Sequence, residues 1–160
     1  TGNGYDTIFL TELVGEKGFV WGFDIQKEAV ENTKKQIKNN NSGKNVRIIW
    51  DGHENMNKYI DNQVDGIIFN LGYLPSGNKD IITRPETTIK AIKTGLTLLK
   101  TEGIIVLVVY PGHEGGKKEL KDILNYSKSL SENKYNILHY HFLNQSKPPA
   151  EVIAIKKREN

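Results

Sequence analysis

Apolar and polar positions along this chain switch between a period of two and a period of three to four, block after block. Gly18-Phe-Val-Trp-Gly-Phe-Asp24 reads as a strand, and residues 28–39 follow with Ala29, Val30, Thr33 and Ile37 at helical spacing. Val46-Arg-Ile-Ile-Trp50 is the next strand, residues 56–60 a short helical turn, and Val64-Asp-Gly-Ile-Ile-Phe69 a buried strand. Thr83-Arg-Pro-Glu86 predicts a helix start, with Thr83 as N-cap, an early proline and Glu86 closing a capping box. That helix would turn Ile89, Ile92, Leu96 and Leu99 inward and end near Gly103. Residues 103–110 form the most apolar run, the pattern of a strand covered on both faces. Residues 120–130 are helical, and two final runs, 135–143 and 151–156, lack a helix between them and predict an antiparallel hairpin.

Strands alternating with helices predict βαβ units and an α/β, doubly wound, mostly parallel sheet in a single domain spanning residues 1–160. The chain opens at Thr1 inside what reads as a strand-to-helix turn, with no first strand before it. A parallel sheet without its central strand would be compromised, so further residues are expected upstream.

Composition narrows the classes. With 160 residues, 37% hydrophobic and 26% charged, the chain suits one globular domain rather than two or a disordered segment. The longest apolar run falls well short of the roughly 20 residues a membrane helix needs. There is no cysteine, so disulfides and thiolate metal sites are excluded and a cytoplasmic location is expected. A net charge of +3 permits a polyanionic partner without requiring one.

The candidate chemistry sits at strand ends. Thr1-Gly-Asn-Gly-Tyr-Asp-Thr7 is a glycine turn feeding a helix, where Gly2 and Gly4 allow close backbone approach and the helix start offers free N–H groups. Asp24 closes the following strand, at the position where a carboxylate accepts both ribose hydroxyls of a nucleoside cofactor. A dinucleotide fingerprint would place a third glycine where Thr7 stands. S-adenosylmethionine has no pyrophosphate, and its amino acid end needs polar groups such as Asn3 and Asp6. Asp51-Gly52-His53-Glu54, after the next strand, can reach an adenine, although a solvated turn is the plain alternative. Asn70-Leu-Gly-Tyr-Leu-Pro75 resembles the Asn-Pro-Pro-Tyr signature of amino-group methyltransferases, with Leu71-Gly72 in place of the prolines. There an amide oxygen holds an amine so that its lone pair meets the methyl group, and catalysis is mainly positioning. Tyr73 is placed to pack over a substrate. His113, in Tyr110-Pro-Gly-His113, is a candidate for substrate contact or proton acceptance, with Tyr73 and bulk water as the other acceptors. His139 and His141 read as sheet-face residues, and the histidines show no metal-ligand spacing, so no metal is expected.

Taken together, Gly2-Asn-Gly-Tyr-Asp-Thr7, Phe23-Asp-Ile-Gln26, Asp51-Gly-His53, Asn70-Leu-Gly-Tyr-Leu-Pro75, Arg84-Pro-Glu-Thr-Thr88, Tyr110-Pro-Gly-His113 and Asn144-Gln145…Pro148-Pro149 resemble a family along essentially the whole chain. It is that of the small bacterial class I methyltransferases labelled rRNA methylases, some of them assigned as tRNA 5-(aminomethyl)-2-thiouridine methyltransferases. The resemblance implies a Rossmann-like class I fold, S-adenosylmethionine held by Asn3, Asp24, Gln26, Gly52 and His53, and a homodimer. Its implied substrate is the wobble uridine of certain tRNAs, carrying an aminomethyl group that becomes methylaminomethyl. Lys79, Arg84, Lys117 and Lys118 then acquire a use against anticodon phosphates. Three other readings stay open: an rRNA or small-molecule N-methyltransferase, a nicotinamide-dependent reductase on the same sheet, and a non-catalytic RNA-binding protein.

Overall fold

The computed structural model describes residues 1–40, 43–72, 84–112, 115–146 and 149–159. Tyr73, Lys79 and His113 lie outside the described residues. The chain divides into two compact units, the first holding Thr1–His53 and the second the described residues 54–72 and 84–159.

In the first unit, α1 (Tyr5–Val14) precedes β1 (Val20–Asp24), and α2 (Lys27–Asn39) carries the chain to β2 (Val46–Trp50). The two strands pair in parallel, with Val20 opposite Val46 and Asp24 opposite Trp50. That register leaves both carboxyl ends level. The core is small: Val30 and Ile37 on α2 pack with Ile48, and Val46 borders them. The helical spacing of Ala29, Val30, Thr33 and Ile37 is therefore a buried stripe, as expected. α1 does the reverse. It buries Thr7 and Thr11 and leaves Tyr5, Phe9 and Leu13 exposed in the described structure, while the Thr11 hydroxyl bonds back to the Thr7 carbonyl at 2.7 Å.

The second unit is a four-stranded sheet in the order β3-β4-β6-β5. A 3₁₀ turn (His53–Lys58) leads to β3 (Val64–Asn70); α3 (Pro85–Leu98) runs directly into β4 (Leu99–Val109), and α4 (Gly116–Lys128) precedes β5 (Tyr135–Tyr140) and β6 (Glu151–Lys157). β3 and β4 are parallel, while β6 is antiparallel to both β4 and β5, so the predicted hairpin forms. Ile105, Leu107 and Val109 on β4 and Ile153 and Ile155 on β6 are fully buried, with Ile92 and Ile123 from the helices.

Three expectations change. The helix after residue 83 starts at Pro85 with Arg84 as its extended N-cap, and no side chain caps it. Proline keeps the residue before it out of the α region, so the boundary falls at Arg84; Thr83, expected as the cap, lies outside the described residues. Leu99 is not the last inward residue of that helix but the first of β4, still fully buried. β4 is also not covered on both faces. Alternate residues are buried while Ile104 is 39% exposed, a half-covered strand with period two.

Candidate functional site

The first unit builds its candidate site around Asp24. Gly2 and Gly4 both adopt positive φ (55° and 88°), which folds the chain back before α1. A Cβ on Gly4 would lie 3.1 Å from the Thr33 Cα and hydroxyl, so strain and α2 both exclude a larger residue. Gly22 in β1 serves the same approach from below, since a Cβ there would meet Thr1 Cγ2 at 2.7 Å. The turn therefore lies over the strand and delivers its donors to Asp24. Oδ2 accepts the Gly2 N–H at 3.1 Å and the Thr1 hydroxyl at 3.2 Å, and Oδ1 accepts the Gln26 N–H at 2.9 Å. Burial works against the charge, and the Gln26 and Gly2 N–H groups favour it.

The neighbouring strand end is tied to the same place. Trp50 Nε1 donates to the Ile25 carbonyl at 2.8 Å, and Asp51 Oδ1 accepts the Gly52 N–H at 2.7 Å in a tight turn. Gly52 is buried, and His53 half-buried. Asn3 and Asp6 are exposed at the start of α1. Thus Gly2, Asn3, Gly4, Asp24, Gln26, Asp51, Gly52 and His53, identified from sequence, belong to one compact unit with the two strand ends level. Sequence reasoning passed over Ile25. It is 55% exposed between Asp24 and Gln26, an apolar surface of the kind a purine face covers. Its signal was a lone apolar residue between two polar ones at a strand end.

In the second unit, Asn70 is the last residue of β3, opposite Val108 and exposed. The next residue is anchored firmly: Leu71 is 2% exposed and its N–H donates to the Val108 carbonyl at 2.9 Å. Gly72 then turns away at a φ of 135°. A buried leucine on one side and a glycine turn on the other fix where the Asn70 backbone sits. Tyr110 follows β4 on the same edge of this sheet and is 42% exposed. Arg84 and Lys117 are exposed, as a phosphate contact requires. Lys118 is engaged, 2.8 Å from Asp122 and 3.9 Å from Glu86. Among the described residues, no helix is long and apolar enough to cross a membrane.

Known proteins resemble this chain along nearly its whole length. The model of the family described as "Putative rRNA methylase" matches residues 20–156. A chloroplastic tRNA (mnm(5)s(2)U34)-methyltransferase of Arabidopsis thaliana is 36% identical over 99% of this chain, which spans 61% of that relative's length. A "putative rRNA-methylase" from Clostridium thermocellum superposes with a TM-score of 0.95 at 47% identity, covering 98% of this chain and 84% of that one. A "putative methyltransferase" from Streptococcus mutans, solved in complex with SAH, gives 0.88 at 40% identity over 98% of this chain and 84% of that one. These likenesses bear out the expected doubly wound, Rossmann-like class I methyltransferase fold. The chain belongs to the rRNA methylase family.

Proposed function

We propose that this protein is an S-adenosylmethionine-dependent RNA methyltransferase that N-methylates the aminomethyl group of wobble 5-aminomethyl-2-thiouridine in tRNA. The observation that carries the reading is Asp24, an ionised carboxylate at a strand end, gripped by the N–H groups of Gly2 and Gln26. The relative with that tRNA activity, and the one solved with SAH, support the choice of substrate and cofactor.

The donor set suits the cofactor. Asp24 already accepts a hydroxyl from Thr1, the kind of donor a ribose diol supplies. Ile25 offers an apolar face to the adenine, Gly52 and His53 the polar edge, and Asn3 and Asp6 the amino acid end. When bound, S-adenosylmethionine supplies an activated methyl group on a sulfonium. The chain's own task is to orient and desolvate the amine. Asn70 accepts an N–H of the aminomethyl group, which leaves the nitrogen lone pair directed at the methyl. The proton the amine sheds goes to water, His113 or Tyr73, and Tyr73 packs over the base. Lys79, Arg84 and Lys117 meet anticodon phosphates. In this reading the protein is a cytoplasmic homodimer.

The test is methyl transfer from labelled S-adenosylmethionine to tRNA from cells lacking the final wobble methylation, with the nucleosides analysed by mass. A methylaminomethyl uridine product is expected. Cofactor binding without tRNA product would move the substrate to rRNA, tried in the same assay. Failure to bind S-adenosylmethionine would overturn the reading altogether.

A further inference from the structure

His139 and His141 stand two apart at the end of β5, so their side chains leave the same face of the sheet. β6 begins at Glu151, and the antiparallel register pairs His139 with Ile153 and Tyr140 with Val152. Extending that register by one residue sets Glu151 across from His141, on the face that His139 shares. The His139 Nε2 and Glu151 Oε2 atoms are 2.6 Å apart, and the two imidazole centroids 4.8 Å. One ligand atom from each of the three residues lies within 4.8 Å of the others.

We propose that His139, His141 and Glu151 form a binding site for a divalent transition-metal ion, with Zn²⁺ as the best match. Two imidazoles and one carboxylate are a donor set for zinc rather than for the oxygen-seeking Mg²⁺ or Ca²⁺. Tetrahedral zinc at bond lengths of about 2.0–2.1 Å separates its ligand atoms by roughly 3.4 Å. The His139–Glu151 pair must open by less than an ångström or so to reach that separation, and the longest pair must close by a little over one. Rotation about side-chain torsions supplies both, with the Cα atoms of His139 and Glu151 held by the strand ladder and His141 one residue beyond it.

The setting favours capture. On its other side Glu151 pairs with Val109 of β4, and Val109 and Ile153 are fully buried, so the triad borders the dry face of the sheet. His139 and Glu151 keep side-chain exposures of 27% and 17%, while His141 is exposed. A metal here would be held from the protein side by three ligands and would keep a water on the solvent side, the open arrangement of three-ligand zinc sites. The short His139–Glu151 hydrogen bond holds the ring with Nε2 toward the carboxylate, so the site is partly assembled before an ion arrives. The pair joins two strands, and an ion would fasten the outer hairpin at the end where β4 leads into Tyr110.

Isothermal titration of the untagged protein with Zn²⁺, and with Co²⁺ followed by visible absorption, tests the site. One equivalent should bind, Co²⁺ should give the intense bands of a four-coordinate nitrogen–oxygen site, and the ion should raise the melting temperature. His141→Ala removes an exposed side chain and leaves the fold intact; it should weaken binding by more than about tenfold, with Glu151→Gln doing the same. No binding, or binding that His141→Ala leaves unchanged in a protein with normal circular dichroism, would overturn the assignment.

Discussion

Two carboxylates organise the two units, and they do so differently. Asp24 in the first unit is surrounded by donors that point at it from the glycine turn and from the chain just after the strand: two backbone N–H groups and a hydroxyl. Glu119 in the second is 1% exposed on the inner side of α4, and its Oε1 accepts the hydroxyl of Thr88 on α3 at 2.7 Å. Each follows a glycine in the left-handed region that starts a helix, Gly4 at a φ of 88° and Gly115 at 79°. Asp24 keeps part of its coordination at the open end of a strand, where a ligand's hydroxyls can exchange in. Glu119 is sealed between two helices and ties them together. A buried acid near a glycine turn is therefore not a site by itself; access and the kind of donor decide.

This difference can be broken experimentally. The largest effect is expected from Asp24→Asn, which keeps the shape and removes the charge. Binding of S-adenosylhomocysteine should fall by about 100-fold or more, the loss of charge-assisted hydrogen bonds to both ribose hydroxyls. Glu119→Gln should leave that binding unchanged in calorimetry. Asn70→Ala should lower the single-turnover transfer rate by about 100-fold through misplacement of the amine, with cofactor affinity nearly intact. Glu119→Ala strands the buried Thr88 hydroxyl and should cost about 1–3 kcal/mol in denaturant unfolding. Gly4→Ala combines a strained φ with contact against Thr33 and should cost about 1–2 kcal/mol by the same measurement.

How much of this was legible depended on range. Asp24 was readable because its partners come from a glycine turn about twenty residues before it, a spacing that the βαβ unit imposes. The place of Asn70 at the carboxyl end of β3 was readable from the apolar run that precedes it. Glu119 was not, since its partner lies 31 residues away and neither position departs from an ordinary helical pattern. The His139–His141–Glu151 group was missed for the same reason. No local spacing joins the histidines to a glutamate across a hairpin; only the register of β5 on β6 does. The start of α3 was legible in Pro85, whose ring sets the boundary at Arg84.

The most direct test of the central claim is a paired measurement on Asp24→Asn and Asn70→Ala: the dissociation constant for S-adenosylhomocysteine and the single-turnover rate of methyl transfer to the undermethylated tRNA. The account predicts that the first variant loses binding, and that the second binds normally and transfers slowly. An Asp24→Asn protein that binds as the wild type does, or an Asn70→Ala protein that transfers at the full rate, would contradict it.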